Sequence, residues 1–162
     1  PKAIVAGSII NQLYFDVKRY GGADAEVGYA IGNIKLAKGL PDTRHKLIEE
    51  GTFSTTGILF DVNTATIKPE SSGVLKEIAD VLQQHAQLRV KIIGHTDSDG
   101  SDASNLELSK KRAEAVMQAL IKNYGIDRSR LESDGKGESV PVGDNKTKEG
   151  KAQNRRVEFI KQ

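Results

Sequence analysis

Residues 94–116 read GHTDSDGSDASNLELSKKRAEAV, so Asp97, Asp99 and Asp102 gather at the mouth of a helical pattern that carries Lys110, Lys111 and Arg112. Acid placed this way has three chemical readings: a calcium loop, a hydrolytic centre, or a clamp for a ligand bearing both signs of charge. An EF-hand loop needs glycine at its sixth position and a bidentate acid at its twelfth. Counted from Asp97, Gly100 is fourth and Leu108 is twelfth, so both marks fail. Hydrolysis needs a nucleophile, an aligned base and a group that orients the base. His95 and Asp97 alternate on an extended segment with Ser98 adjacent, and they form no such relay without a distorted backbone. GKGES at 135–139 lacks the third glycine and the Lys-Ser ending of a phosphate loop. No catalytic constellation emerges, and no metal or cofactor is implied.

The clamp reading has geometry behind it. Asp97 lies just past the carboxyl end of a strand pattern, LRVKIIG at 88–94, and ligand sites of open α/β sheets favour that edge. Ser104 with Glu107 three residues later matches a capping box, which predicts a helix start at Ser104. At about 100° per residue, Asn105, Ser109 and Arg112 fall within roughly 60° of arc, on a face bordering the apolar one. A carboxylate, an amide, a hydroxyl and a guanidinium are therefore expected to converge on one cleft. Arginine grips a carboxylate through two parallel hydrogen bonds, and a helix N-terminus adds favourable partial charge for the same anion. Asp97 supplies the opposite pole. The complement of such a site is a zwitterion with its ammonium and carboxylate a few ångströms apart.

Elements that could position these groups follow from periodicity. TGILFDV at 56–62 reads as a strand with Ile58, Phe60 and Val62 on one face. Pro69 opens a helix whose Val74, Leu75, Ile78, Val81 and Leu82 recur at helical spacing. Val116, Met117, Leu120, Ile121 and Tyr124 form the buried side of the second helix, and Gly125 followed by Ile126 fits a glycine stop. RLESDGKG and NRRVEFI are further strands, separated by the loop ESVPVGDNKTKEGKAQ. The predicted class is α+β, a β-α-β-α-β-β two-layer sandwich with both helices on one face of a single sheet. A short N-terminal β segment precedes it: residues 1–38 read as two strands, a remnant of an upstream β domain or else a cap on the main one, 39–50 as a linker, and 51–162 as the main domain.

Composition sets outer limits. At 162 residues, 37% hydrophobic and 28% charged, the chain can build one ordinary core with a remnant beside it. Its formal charge of +2, from 24 basic and 22 acidic residues, comes with no basic run, so nucleic acid is not an expected partner. Without cysteine there is no disulfide framework, thiolate nucleophile or Cys-type zinc site. The apolar runs are too short to span a bilayer, and Pro1 suggests a piece of a longer protein, so membrane association is expected only through a part of the parent that lies elsewhere.

GHTDSDG, NLELSKKRAEAV, YGID with RL after two intervening residues, DGKGES followed by PV and DN, and NRRVEF together resemble the OmpA-like peptidoglycan-binding domain over residues 52–161. The resemblance implies a module that binds the peptide stem of peptidoglycan non-covalently, chiefly at the free end of meso-diaminopimelate. It implies a place on the periplasmic face of the outer membrane of a Gram-negative cell, tethering an envelope protein to the wall. Asp97 matches the aspartate that pairs with the ligand's amino group, and Arg112 the arginine that pairs with its carboxylate. Supporting contacts map onto Asp61, Asn63, Asn105 and Arg155, and Asp99 holds a loop position that in the family is often Asn or Thr. GNIKLAKGLPDTRHK resembles the link from a β-sandwich to this module in Bacteroidetes-type outer-membrane proteins.

Each of these residues also has a plain structural reading. Aspartates in DSDGSD are common turn formers, and Asp61 and Asn63 could end a strand. Arg155 and Arg156 are adjacent and point to opposite sheet faces, so one of them is expected to be structural. His95 reads as a hydrogen-bonded strand histidine, since His45 and His85 have no ligand-type spacing to it. A periplasmic protein–protein interaction module is the alternative function.

Overall fold

The structure, a computed structural model, describes Thr43 and residues 46–162. The two N-terminal strands expected before residue 39 lie outside the described residues. The fold is built on one four-stranded sheet of order β1-β4-β2-β3, where β1 is Thr52–Thr55, β2 Val90–His95, β3 Leu131–Gly137 and β4 Val157–Lys161. β2 and β3 run parallel, with Val90 opposite Leu131, while β4 runs antiparallel to both β1 and β2. A parallel pair needs a crossover connection, and here it is the long helix α2, Asp102–Tyr124; α1 is Ser72–Gln84.

Alternation explains which face is covered. Val90 and Ile92 of β2, Leu131 of β3, Val157 and Phe159 of β4 and Phe53 of β1 all turn to one side and are buried. Leu75, Ile78 and Leu82 of α1 and Ala113, Val116, Met117 and Leu120 of α2 meet them at spacings of three and four. The predicted α+β two-layer sandwich is the observed one. Gly125 stops α2 in the left-handed conformation at φ 68°, and Ile126 N–H reaches back to the Leu120 carbonyl at 3.2 Å.

Four expectations on element boundaries differ from the structure. The first strand is Thr52–Thr55, not the apolar run 56–62, because β4 pairs in register with 52–55 and the chain then bends at Thr56 and leaves the ladder. Residues 58–68 instead form a lobe closed by a Phe60–Ile67 bridge, with Ile58 buried and Val62 84% exposed. Helix α2 begins one turn before Ser104: Ser101 is its N-cap and accepts the Ser104 N–H, while Glu107 pairs with Lys111. The loop 138–153 contains a seven-residue helix, α3, Lys148–Asn154, capped by Thr147. Its sequence KEGKAQN has no apolar face to betray it. At the other end, Lys46–Glu50 of the predicted linker is a π-helical turn that buries Leu47 in the core.

One contact fixes how close α2 comes to the sheet. A Cβ on Gly94 would stand 2.2 Å from the Ser109 carbonyl oxygen, and one on Gly135 would stand 2.4 Å from the Lys110 nitrogen. Only glycine admits that approach. Gly94→Ala is expected to lower stability by about 1–3 kcal/mol in urea denaturation. Gly73→Ala in α1, where the added methyl meets nothing within 4 Å, should raise it by about 0.4–1 kcal/mol.

Candidate functional site

Beyond the carboxyl end of β2, the lobe 58–68, the start of α2 and the chain before β4 enclose a cleft of about 390 Å³, within the usual size range of small-molecule sites. The seven residues assigned through the family resemblance line it: Asp61, Asn63, Asp97, Asp99, Asn105, Arg112 and Arg155. Asp97 is 7% exposed. Its Oδ1 accepts the Asp99 backbone N–H at 3.2 Å, and its Oδ2 lies 2.5 Å from Arg155 Nη1. Lys151 pairs with Asp99 at 2.6 Å and Lys68 with Asp61 at 3.8 Å, both toward solvent.

Arg112 is held differently. Its Nε donates to the Thr64 carbonyl at 2.9 Å, and its guanidinium carbon lies 4.9 Å from the centroid of the Phe60 ring. Among the described residues no carboxylate comes within ion-pair distance of it. Burial lowers its pKa, Asp97 across the cleft opposes that effect, and Arg155 adds to it. An arginine stays charged under these conditions, so the cleft holds a half-buried cation short of a counter-charge.

The supporting cast differs in part from expectation. Asn105 is buried and spends its amide donor on the Asp97 carbonyl at 3.2 Å and on Glu138 Oε2 at 2.5 Å. It ties the acidic turn to the end of β3. Ser109 does not join the cleft: its hydroxyl accepts the Gly137 N–H at 2.9 Å and donates to the Leu106 carbonyl, fully buried between helix and sheet. The roughly 60° of arc that separates Ser109 from Arg112 is the difference between facing the strands and facing the cleft. Asn63 sits at the lobe's tip with φ 57°, a left-handed conformation that asparagine tolerates better than most residues. Of the adjacent arginines, Arg156 is the structural one, buried and bonded to Glu158 and to the Val140 carbonyl.

Sequence reasoning did not single out Phe60, Thr64 or Glu138 as parts of the site. Phe60 was assigned to a strand face by its alternation, and Thr64 acts only through its backbone. Glu138 lies in GKGES, weighed above as a phosphate loop, and nothing in that motif marks a partner for Asn105. His95 also departs from expectation: it is 3% exposed, yet neither ring nitrogen is hydrogen-bonded within the protein. Nε2 stands 3.4 Å from Glu158 Oε2 without hydrogen-bond alignment.

The OmpA family matches residues 59–155, more than half of the chain. The chain is 46% identical over 101 residues to outer membrane porin F of Pseudomonas fluorescens, which covers 62% of this chain and 31% of that protein. It is 45% identical over 102 residues to the probable lipoprotein YiaD of Escherichia coli, covering 63% and 46%. The chain thus spans less than half the length of these curated relatives. Among solved structures, the peptidoglycan-associated lipoprotein of Burkholderia pseudomallei superposes with a TM-score of 0.60 at 32% identity, over 67% of this chain and 89% of that one. The cell wall anchor of the T6SS from Pseudomonas aeruginosa gives a TM-score of 0.60 at 30% identity, over 68% and 81%.

Burial, first, and the Arg156 and Lys136 charges lower the pKa of His95, with Glu158 opposing. The unfolded chain therefore binds a proton that the fold resists. Stability is expected to be at its plateau above about pH 6.5, the ordinary histidine value, and to fall as pH drops below it. Urea midpoints between pH 7.5 and 5.5 should show that slope, and His95→Gln should flatten it.

Proposed function

The chain belongs to the OmpA family, and on that premise we propose that residues 51–162 bind peptidoglycan non-covalently, taking the free end of meso-diaminopimelate between Asp97 and Arg112. The parent protein is then an envelope protein held to the wall on the periplasmic side of the outer membrane. Likeness to a peptidoglycan-associated lipoprotein and to a cell wall anchor supports the wall as the partner. The observation that carries the chemistry is the placing of a buried carboxylate and a guanidinium without a carboxylate partner in one cleft.

The physical logic is one of exchange. A zwitterionic head loses hydration on entering the cleft, and each of its charges must find an opposite one there. The ammonium approaches Asp97, whose Oδ1 is already polarised by the Asp99 N–H. The carboxylate approaches Arg112, whose Nε is fixed on the Thr64 carbonyl, leaving the forked Nη groups for the ligand. Phe60 under the guanidinium holds its plane.

Purified sacculi should retain the wild-type chain and release Asp97→Ala and Arg112→Ala. Each substitution is expected to cost about 2 kcal/mol or more of binding, because one ligand charge is left unpaired. Added salt should weaken the wild-type interaction. Equal retention of all three proteins would sink the reading, and capture of a periplasmic protein that survives both substitutions would favour an interaction module instead.

A further inference from the structure

We propose that Asn145 is a positioning residue of the clamp: without touching the ligand, it holds the peptide unit that follows Asp97 and so decides where the Asp97 carboxylate stands. The inference rests on the peptidoglycan reading and adds to it a residue that lies outside the cleft.

The first observation is that Asp97 stands beyond the ladder that aims the rest of β2. The bond from Thr96 N–H to the Gly137 carbonyl, at 2.9 Å, is the last main-chain bond before the turn, and among the described residues no N–H of 97–100 reaches a backbone carbonyl. The Asp97–Ser98 peptide unit is held by side chains instead, one at each end. Asn105 Nδ2 donates to its carbonyl at 3.2 Å, and its N–H donates to Asn145 Oδ1 at 3.3 Å. A peptide unit is planar, so the two holds fix its rotation about the Asp97 Cα–C bond. With Thr96 fixed on the other side, the direction of the Asp97 Cα–Cβ bond follows.

The second is that the acceptor is itself immobilised. Asn145 Oδ1 also accepts Asn154 Nδ2 at 2.7 Å. Asn154 is fully buried at the end of α3; its Oδ1 accepts the Val142 and Gly143 N–H groups, each at 2.8 Å, and its Nδ2 donates to the Gly143 carbonyl at 2.9 Å. Both ends of that amide are spent, and a satisfied buried network of this kind is rigid. A separation of 3.3 Å is long for N–H···O, and an acceptor free to move would not keep it. Main-chain packing adds a stop: a Cβ on Gly143 would stand 2.7 Å from Gly150 Cα.

The third is that Asn145 uses half of its amide. Only its oxygen is bonded, and its Nδ2 donates to nothing among the described residues. A carboxylate at that position can do the same work, and a methyl group cannot.

The isotope-labelled 162-residue chain can be titrated with meso-diaminopimelate and followed by NMR. Asn145→Ala should weaken binding about fivefold, the equivalent of one neutral hydrogen bond, and should speed hydrogen exchange at the Ser98 amide. Asn145→Asp, which keeps the acceptor, should return both to the wild-type range. Thr147→Ala removes the cap of α3 without touching the Asp97–Ser98 unit, so it should lower the urea midpoint and leave affinity unchanged. Equal affinity of Asn145→Ala and wild type, or a loss that Thr147→Ala matches and Asn145→Asp does not restore, overturns the positioning role while leaving the diaminopimelate clamp standing. No binding by wild type overturns both.

Discussion

The molecule is organised around the place where α2 rests on bare strand backbone. At Gly94 and Gly135 the helix backbone at Ser109 and Lys110 comes nearer than any side chain would allow, and the Ser109 hydroxyl accepts the Gly137 N–H. A contact of this kind has no rotamers to relax and little freedom to slide. Asp97 leaves the sheet three residues after Gly94, and Arg112 stands three residues after Ser109. The separation of the two opposite charges is thus set by main-chain packing, not by the flexibility of their own side chains. Asn105 extends the same logic outward, joining the Asp97 turn to Glu138 with its buried amide.

Around that frame the electrostatics are arranged in pairs that straddle the surface. Asp97 sits inside and Arg155 half outside; Asp99 and Lys151 lie on the rim. Arg112 alone is turned toward an aromatic ring and a carbonyl, neither of which neutralises it. In a cleft of reduced dielectric an unbalanced cation is a standing preference for an anion. On the proposed function, affinity for a charged guest would arise there from what the resting site lacks, and specificity from how rigidly the lack is shaped.

Much of this was legible in the chain, and the limits have physical causes. Both long helices were readable because their buried faces repeat every three or four residues, and Gly125 announced its own left-handed stop. The first strand was misplaced because sheet membership depends on a partner: TFST has one apolar residue but matches β4 in register, while the more apolar ILF turns away to form the lobe. Helix α3 carries no periodic pattern and is held by its Thr147 cap and by Gly150, whose Cα packs against the backbone of Asp144. Within the cleft, Asp97, Asn105 and Arg112 could be grouped because strand end and helix face are local geometry. The bond from Arg155 to Asp97 spans 58 positions, and no local rule reaches that far. Ser109 shows the opposite failure, a sound angular estimate too coarse to separate the packed side of a helix from its open one.

The way the chain enters the sheet has a mechanical meaning. Upstream sequence arrives through the turn Lys46–Glu50, which is nailed down by Leu47 in the core and by Lys161, whose Nζ reaches the Ile48 carbonyl at 3.1 Å and whose N–H reaches the Gly51 carbonyl at 2.9 Å. Only after that does β1 run alongside β4. Tension applied from upstream along the strand axis would load the cross-links between those two strands side by side, so that several must rupture at once, and a joint stressed in shear resists far more than one peeled apart link by link.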